Sequence, residues 1–248
     1  MVDHAFSDPA LAALYDSLSP TDDRSDFGFY LPMIMSAGSV LDVGCGTGTL
    51  LQLARDAGHT GRLAGIDPGA GMLAQARHRT DIEWTLGSAS DIDAEGEFDL
   101  IVMSGHAFQE LVTDDELRTA LTAIGTALSD GGRFAFEARD PAARAWESWV
   151  ADGTYDAEVR DASGALVRVT LQVDPPAGDT VSFSHTYSSP DWERSRVSRS
   201  TLRFLDVDGL SSFLAGAGLE IEAQYGEWDR SPVGATSTEI ITIARRRR

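Results

Sequence analysis

Apolar and polar positions along this chain follow two periods, and their order predicts the elements. Val40-Leu41-Asp42-Val43 is a short apolar strand, followed by a helical stretch from Leu50 to Ala57. Further strands read over Arg62 to Asp67, Asp81 to Leu86, Phe98 to Ser104 and Gly131 to Glu137. Between the last two, Leu117, Leu121, Ile124 and Leu128 recur at helical spacing over Asp115 to Leu128. Such alternation of strand and helix predicts an α/β domain built on a parallel sheet. The pattern then changes. Tyr155 to Arg160, Leu166 to Val173, Thr180 to Tyr187 and Ser195 to Phe204 alternate with period two, with turns at Asp161 to Gly164 and Asp174 to Asp179. That predicts a small antiparallel sheet inserted late in the core, led by a helix over Pro141 to Trp149. A helix over Leu205 to Ala217 and strands over Leu219 to Tyr225 and Glu239 to Ala244 complete the chain. Two helices precede the first strand, over Asp8 to Leu18 and Asp26 to Met35, with Pro20-Thr21-Asp22-Asp23 as the break.

Candidate chemistry sits at the strand ends. Val40-Leu41-Asp42-Val43 runs into Gly44-Cys45-Gly46-Thr47-Gly48-Thr49. Glycine suits a sharp reversal where a ligand must touch backbone, because a Cβ obstructs both. A dinucleotide fingerprint, G-x-G-x-x-G from Gly44, needs glycine at position 49, where the chain has Thr49. Asp67 closes the second strand, where a carboxylate can hold a ribose diol; it also suits a helix N-cap ahead of Pro68.

The G-x-G-x-G alternation after Asp42 resembles motif I of the class I, Rossmann-like S-adenosylmethionine-dependent methyltransferases. The resemblance continues through Gly87-Ser88-Ala89-Ser90-Asp91, Phe98 to Ser104, the Gly131-Gly132 approach to the fifth strand, and the closing segment from Gly218 to Arg246. It implies a doubly wound seven-stranded sheet of order 3-2-1-4-5-7-6, with S-adenosylmethionine as cofactor. It implies cofactor contacts from Asp42, Gly44, Cys45, Gly46, Asp67, Pro68, Met72, Ser88, Ala89, Ser104 and Gly105. Ser88 stands where the family usually has Asp. Relatives carry a similar Leu14-Tyr15-Asp16 and Asp26-Phe27-Gly28-Phe29-Tyr30 opening, which implies a helical lid over residues 1–36. Tyr30 is counted among the cofactor contacts, with stapling of the lid helices as the equal alternative; stapling suits Tyr15 better. The remaining division is a core over 37–140, an insertion over 141–203 that roofs the acceptor or forms a dimer contact, and a return to the core over 204–248.

The family resemblance implies methyl transfer to nitrogen or oxygen of a small molecule, such as a metabolite, natural product or amino sugar. His106 follows the fourth strand and is the candidate base. Glu137 and Arg139 end the fifth and are candidates for a charged acceptor group; Arg139 can equally pair with Asp140 or Glu137. The rivals are a non-catalytic binder of the cofactor or of S-adenosylhomocysteine, and another transferase on the same scaffold.

Composition narrows the acceptor. A net charge of -19 and a pI near 4.4 disfavour a nucleic-acid partner. All 20 basic residues other than histidine are arginine. Cys45 is the sole cysteine, so no internal disulfide forms, and it reads as a small packing residue. No metal-ligand spacing, secretory signal or bilayer-length apolar stretch is visible. The expectation is a cytoplasmic protein, possibly a homodimer, with no membrane partner.

Overall fold

The computed structural model describes residues 2–21, 24–150 and 155–247. Asp22 and Asp23 of the expected break lie outside these. The seven-stranded sheet comprises β1 (Ser39–Val43), β2 (Arg62–Asp67), β3 (Glu83–Leu86), β4 (Phe98–Met103), β5 (Leu128–Arg139), β10 (Leu219–Tyr225) and β11 (Glu239–Arg246). Their order is β3-β2-β1-β4-β5-β11-β10, with only β11 antiparallel to β5 and β10 antiparallel to β11. Once the inserted strands are set aside, this is the expected 3-2-1-4-5-7-6.

Both faces of the sheet are covered. Leu41, Ile101 and Phe134 pack under α7 (Asp114–Ala127) and α8 (Val207–Gly216). Their alternates Val40, Leu100 and Ala135 pack under α4 (Ser25–Ser36) and α5 (Thr49–Asp56). A strand buried on both faces loses its polar alternation, which is why β1 and β4 read as continuous apolar runs. β1 pairs with β2 on one side and β4 on the other, so the strand order reverses there. The crevice at the carboxyl ends of such strands is where open α/β sheets bind ligands.

Three local expectations fail for physical reasons. The helix expected over 8–18 is two single turns, α2 (Pro9–Ala12) and α3 (Tyr15–Leu18), preceded by a further turn, α1 (His4–Ser7). Asp8 ends α1 in extended backbone, and its side chain accepts from the N–H groups of Ala10 and Leu11 to start α2. The helix expected over 141–149 is two 3-10 turns, because Arg144 between them is left-handed at φ 49°. Leu128 leaves α7 and already pairs with Phe98, so β5 begins earlier than its glycines suggest and carries an irregularity there.

The insertion forms a second sheet, β6 (Tyr155–Arg160), β7 (Leu166–Val173), β8 (Thr180–Ser188) and β9 (Arg196–Arg203), in consecutive antiparallel order. Leu11 and Leu14 pack onto its Val167, Val169 and Tyr187. The same N-terminal turns rest on α6 (Ala70–Ala76), so they bridge the core and the insertion.

Candidate active site

The glycine loop leaves β1 through three left-handed residues, Gly44, Gly46 and Gly48, with φ of 76°, 56° and 79°. A Cβ on Gly44 meets Ala107 at 2.8 Å, and one on Gly48 meets Trp84 at 2.4 Å. A Cβ on Gly46 meets nothing within 4 Å, because that position opens into a cavity of about 370 Å³. The loop is held by backbone bonds from Gly44 and Cys45 N–H to the Ile66 carbonyl, at 2.8 and 3.2 Å.

Asp67 and Asp42 are among the carboxylates that line that cavity. Asp67 accepts from the Gly46 N–H at 2.8 Å and the Gly69 N–H at 2.7 Å. Burial raises its pKa and those two donors hold the rise back. Asp42 is 1 % exposed, and its Oδ1 has no hydrogen-bond partner. Burial, with the neighbouring charge of Asp67 second, pushes its pKa up to about 8. An unpartnered buried carboxylate oxygen is unfavourable until a donor reaches it. Arg24 also lines the cavity and is bound through two nitrogens to Asp26, at 2.6 and 2.9 Å.

The far wall is made by Pro68, Met72, Ser88 and Ala89. Ser88 Oγ donates to Asp91 at 2.7 Å, closing a capping box on the turn over Ala89–Asp91. The N-terminal turns are tied to the loop itself, since Thr47 Oγ1 donates to Asp16 at 2.8 Å.

A second cavity of about 260 Å³ lies beside the first, beneath β7, β8 and β9. Phe6, Tyr15, Gly105 and Glu110 line both. His106 lines only the second, and it is left-handed at φ 63° directly after left-handed Gly105. A non-glycine residue held there stores strain that its surroundings must offset. Here the His106 N–H donates to Glu137 Oε1 at 2.7 Å, and Tyr30 donates its hydroxyl to the other oxygen. Burial raises the pKa of Glu137 and of the Tyr30 phenol. His106 Nε2 lies 3.0–3.1 Å from both oxygens of Glu239. With Nε2–H donating to Glu239, Nδ1 is left as the acceptor. Burial raises Glu110, between the cavities, to about 8.

Of the residues expected to hold a cofactor, Asp42, Gly44, Cys45, Gly46, Asp67, Pro68, Met72, Ser88, Ala89, Ser104 and Gly105 line the first cavity together. Tyr30 does not: it is fully buried, facing Glu137 behind the wall, so it supports the His106 turn. Tyr15, expected as a staple, lines both cavities. Arg24 and Glu239 were not singled out by the sequence. For Arg24 a signal existed, since it is the one arginine before Arg55. Glu239 opens a strand more than 130 residues from His106, and nothing local marks it.

Comparison with known proteins agrees with this geometry. Residues 40–132 match a family model described as a methyltransferase domain. A 2-phytyl-1,4-naphtoquinone methyltransferase of Thermosynechococcus vestitus is 32% identical over 139 residues, covering 50% of this chain and 59% of that protein. The chain thus matches little more than half the length of this curated relative. Among solved structures, the CcbJ methyltransferase from Streptomyces caelestis superposes with a TM-score of 0.75 at 21% identity, covering 98% of this chain and 99% of that one. The sugar N-methyltransferase KedS8 from Streptoalloteichus sp. ATCC 53650 gives 0.73 at 20% identity, over 94% and 93%. Residues 40–132 are thus similar to a methyltransferase domain, and the fold over nearly the whole chain is that of these solved structures.

Proposed function

We propose that this protein binds S-adenosylmethionine in the first cavity and transfers its methyl group to nitrogen or oxygen of a small molecule held in the second. The observation that carries this reading is the buried, unpartnered Asp42 oxygen beside the open face of Gly46. A cationic, zwitterionic ligand fits that pair as a phosphate does not. In this reading Asp42 faces the ammonium, Arg24 the carboxylate, Asp67 the ribose hydroxyls and Ser88–Ala89 the base. The bound cofactor supplies an electrophilic methyl on a sulfonium.

The chain's own tasks are alignment and exclusion of water. α1 to α3 close over both cavities, and Asp16 fastens them to the glycine loop. His106 Nδ1 takes the proton that leaves the acceptor's N–H or O–H, while Glu239 holds the ring and stabilises the imidazolium. Glu137 and Tyr30 fix the backbone turn that aims His106 into the second cavity. The insertion over 141–203 supplies the roof of that cavity and therefore acceptor choice, with residues 1–36 as the lid and 37–140 and 204–248 as the core.

Methyl transfer from radiolabelled S-adenosylmethionine to a panel of small amines, phenols and acids tests the activity, with S-adenosylhomocysteine affinity measured alongside. Asp67→Ala should weaken that affinity by about 1.5–3 kcal/mol, the worth of hydrogen bonds to a charged group. Tight binding without transfer to any acceptor supports a non-catalytic binder instead. An unchanged affinity in the variant sinks the ribose assignment.

A further inference from the structure

Arg139 ends β5 and lines the second cavity, half-buried, with its guanidinium 5.2 Å from the Trp149 ring. Its side chain makes one hydrogen bond among the described residues, Nη1 to Gln109 Oε1 at 3.1 Å, and that partner is neutral. Neither expected carboxylate takes it. Glu137 is occupied by Tyr30 and the His106 N–H, and Asp140 caps the following turn by accepting from the Ala142 N–H. Glu239 sits opposite Arg139 in the strand register, but its oxygens go to His106.

The other shielded arginines differ. Arg24 is paired with Asp26, and Arg203 with both Asp114 and Asp179. Arg139 has no carboxylate within 4.0 Å among the described residues, in a chain of net charge -19. Burial lowers its pKa, and the neighbouring charges of Glu239 and Glu137, already bonded to His106 and Tyr30, offset that only in part. A guanidinium carries five donors in a planar fork, so it is suited to an oxyanion arriving from the cavity. The same cavity is lined by Phe183, His185 and Tyr187 of β8 with Leu202 of β9, and Trp149 packs against both the Arg139 guanidinium and Phe183. Burial lowers the pKa of His185 and so disfavours its charged form.

We propose that Arg139 is the acceptor-recognition residue and that the acceptor is a small aromatic acid, its carboxylate held by the Arg139 fork and its ring against β8. This rests on the reading of the second cavity as the acceptor chamber. It is opposed to an aminated acceptor, whose ammonium the Arg139 guanidinium would repel.

Calorimetric titration of benzoate, benzamide and benzylamine into the protein, with and without S-adenosylhomocysteine, tests the proposal. Benzoate should bind on the order of 10- to 100-fold tighter than either neutral benzamide or cationic benzylamine, the worth of a charge-assisted pair. Arg139→Gln should erase that preference and leave S-adenosylhomocysteine affinity unchanged. Should that variant fail to fold by circular dichroism, Arg139→Lys carries the test: it keeps the charge, loses the fork and should bind benzoate several-fold more weakly. Tighter binding of benzylamine, benzoate binding indifferent to the substitution, or no benzoate binding overturns the proposal. Failure of S-adenosylhomocysteine to bind instead strikes the cofactor reading, and the benzoate result stands separately.

Discussion

His106 illustrates how a single side chain is aimed. Two consecutive left-handed residues, Gly105 and His106, turn the chain after β4, and only the first is a glycine. Each such non-glycine residue costs of order 1–3 kcal/mol, which the buried Glu137 offsets through its bond to the His106 N–H. The ring is then oriented by Glu239 from a strand remote in sequence. If this ring is the base, His106→Ala lowers the methyl-transfer rate about 10²- to 10⁴-fold and leaves S-adenosylhomocysteine affinity nearly intact. Glu239→Gln should show a smaller loss, and the double variant should be no worse than His106→Ala, because the two act as one unit. A His106→Ala enzyme that keeps its turnover means that transfer rests on proximity alone.

At the scale of elements, the N-terminal turns are seated by contacts too close for an added methyl group. A Cβ on Gly71 of α6 meets the carbonyl oxygens of Phe6 and Asp8 at 2.8 Å, and these are backbone atoms that move only with the whole lid. Gly71→Ala improves helix propensity by up to about 1 kcal/mol, while overpacking of this kind costs about 1–3 kcal/mol. The second effect wins, so the lid should lift. S-adenosylhomocysteine affinity should fall about tenfold with the circular dichroism spectrum unchanged, since 1.4 kcal/mol is tenfold. Unchanged affinity would mean that the lid does not rest on α6 in solution. Regular elements like α7 and the sheet were legible, because hydrophobic period alone specifies them. The N-terminal turns were not: they follow the gap between α6 and the inserted sheet, and no periodicity in Asp8 to Leu18 encodes a curved surface. The site divides the same way. The glycine loop and Asp67 announce themselves by spacing, whereas Arg24 reaches the first cavity and Glu239 reaches His106 only through tertiary packing.

For the whole molecule, two acids at the cavities, buried Asp42 and exposed Glu110, set a pH dependence distinct from that of the rest of the acidic surface. Asp42 and Glu110 are both raised to about 8, chiefly by burial. In the unfolded chain each ionises near the ordinary carboxylate value of about 4. Between those limits the folded protein holds protons that the unfolded chain has released, so stability falls as pH rises. Below about 4 both states are protonated and the effect vanishes; above about 8 the full penalty is present. Surface carboxylates are already ionised above pH 6, and His185, lowered by burial, adds a contribution of opposite sign that is lost as pH falls through the usual histidine value of about 6.5. From pH 7 to 8 Asp42 contributes up to about 1.4 kcal/mol per pH unit, in the same direction as Asp67 and Glu137, which burial also raises, and exposed Glu110 contributes less. The unliganded protein should lose melting temperature steadily across that interval. The doubly substituted Asp42→Asn, Glu110→Gln protein should start higher at pH 8 and show a flatter slope, by differential scanning calorimetry in matched ionic strength. Parallel curves for the two proteins would mean that both acids are already ionised in the folded state, and the Asp42 oxygen would then be charged before any cationic ligand arrives.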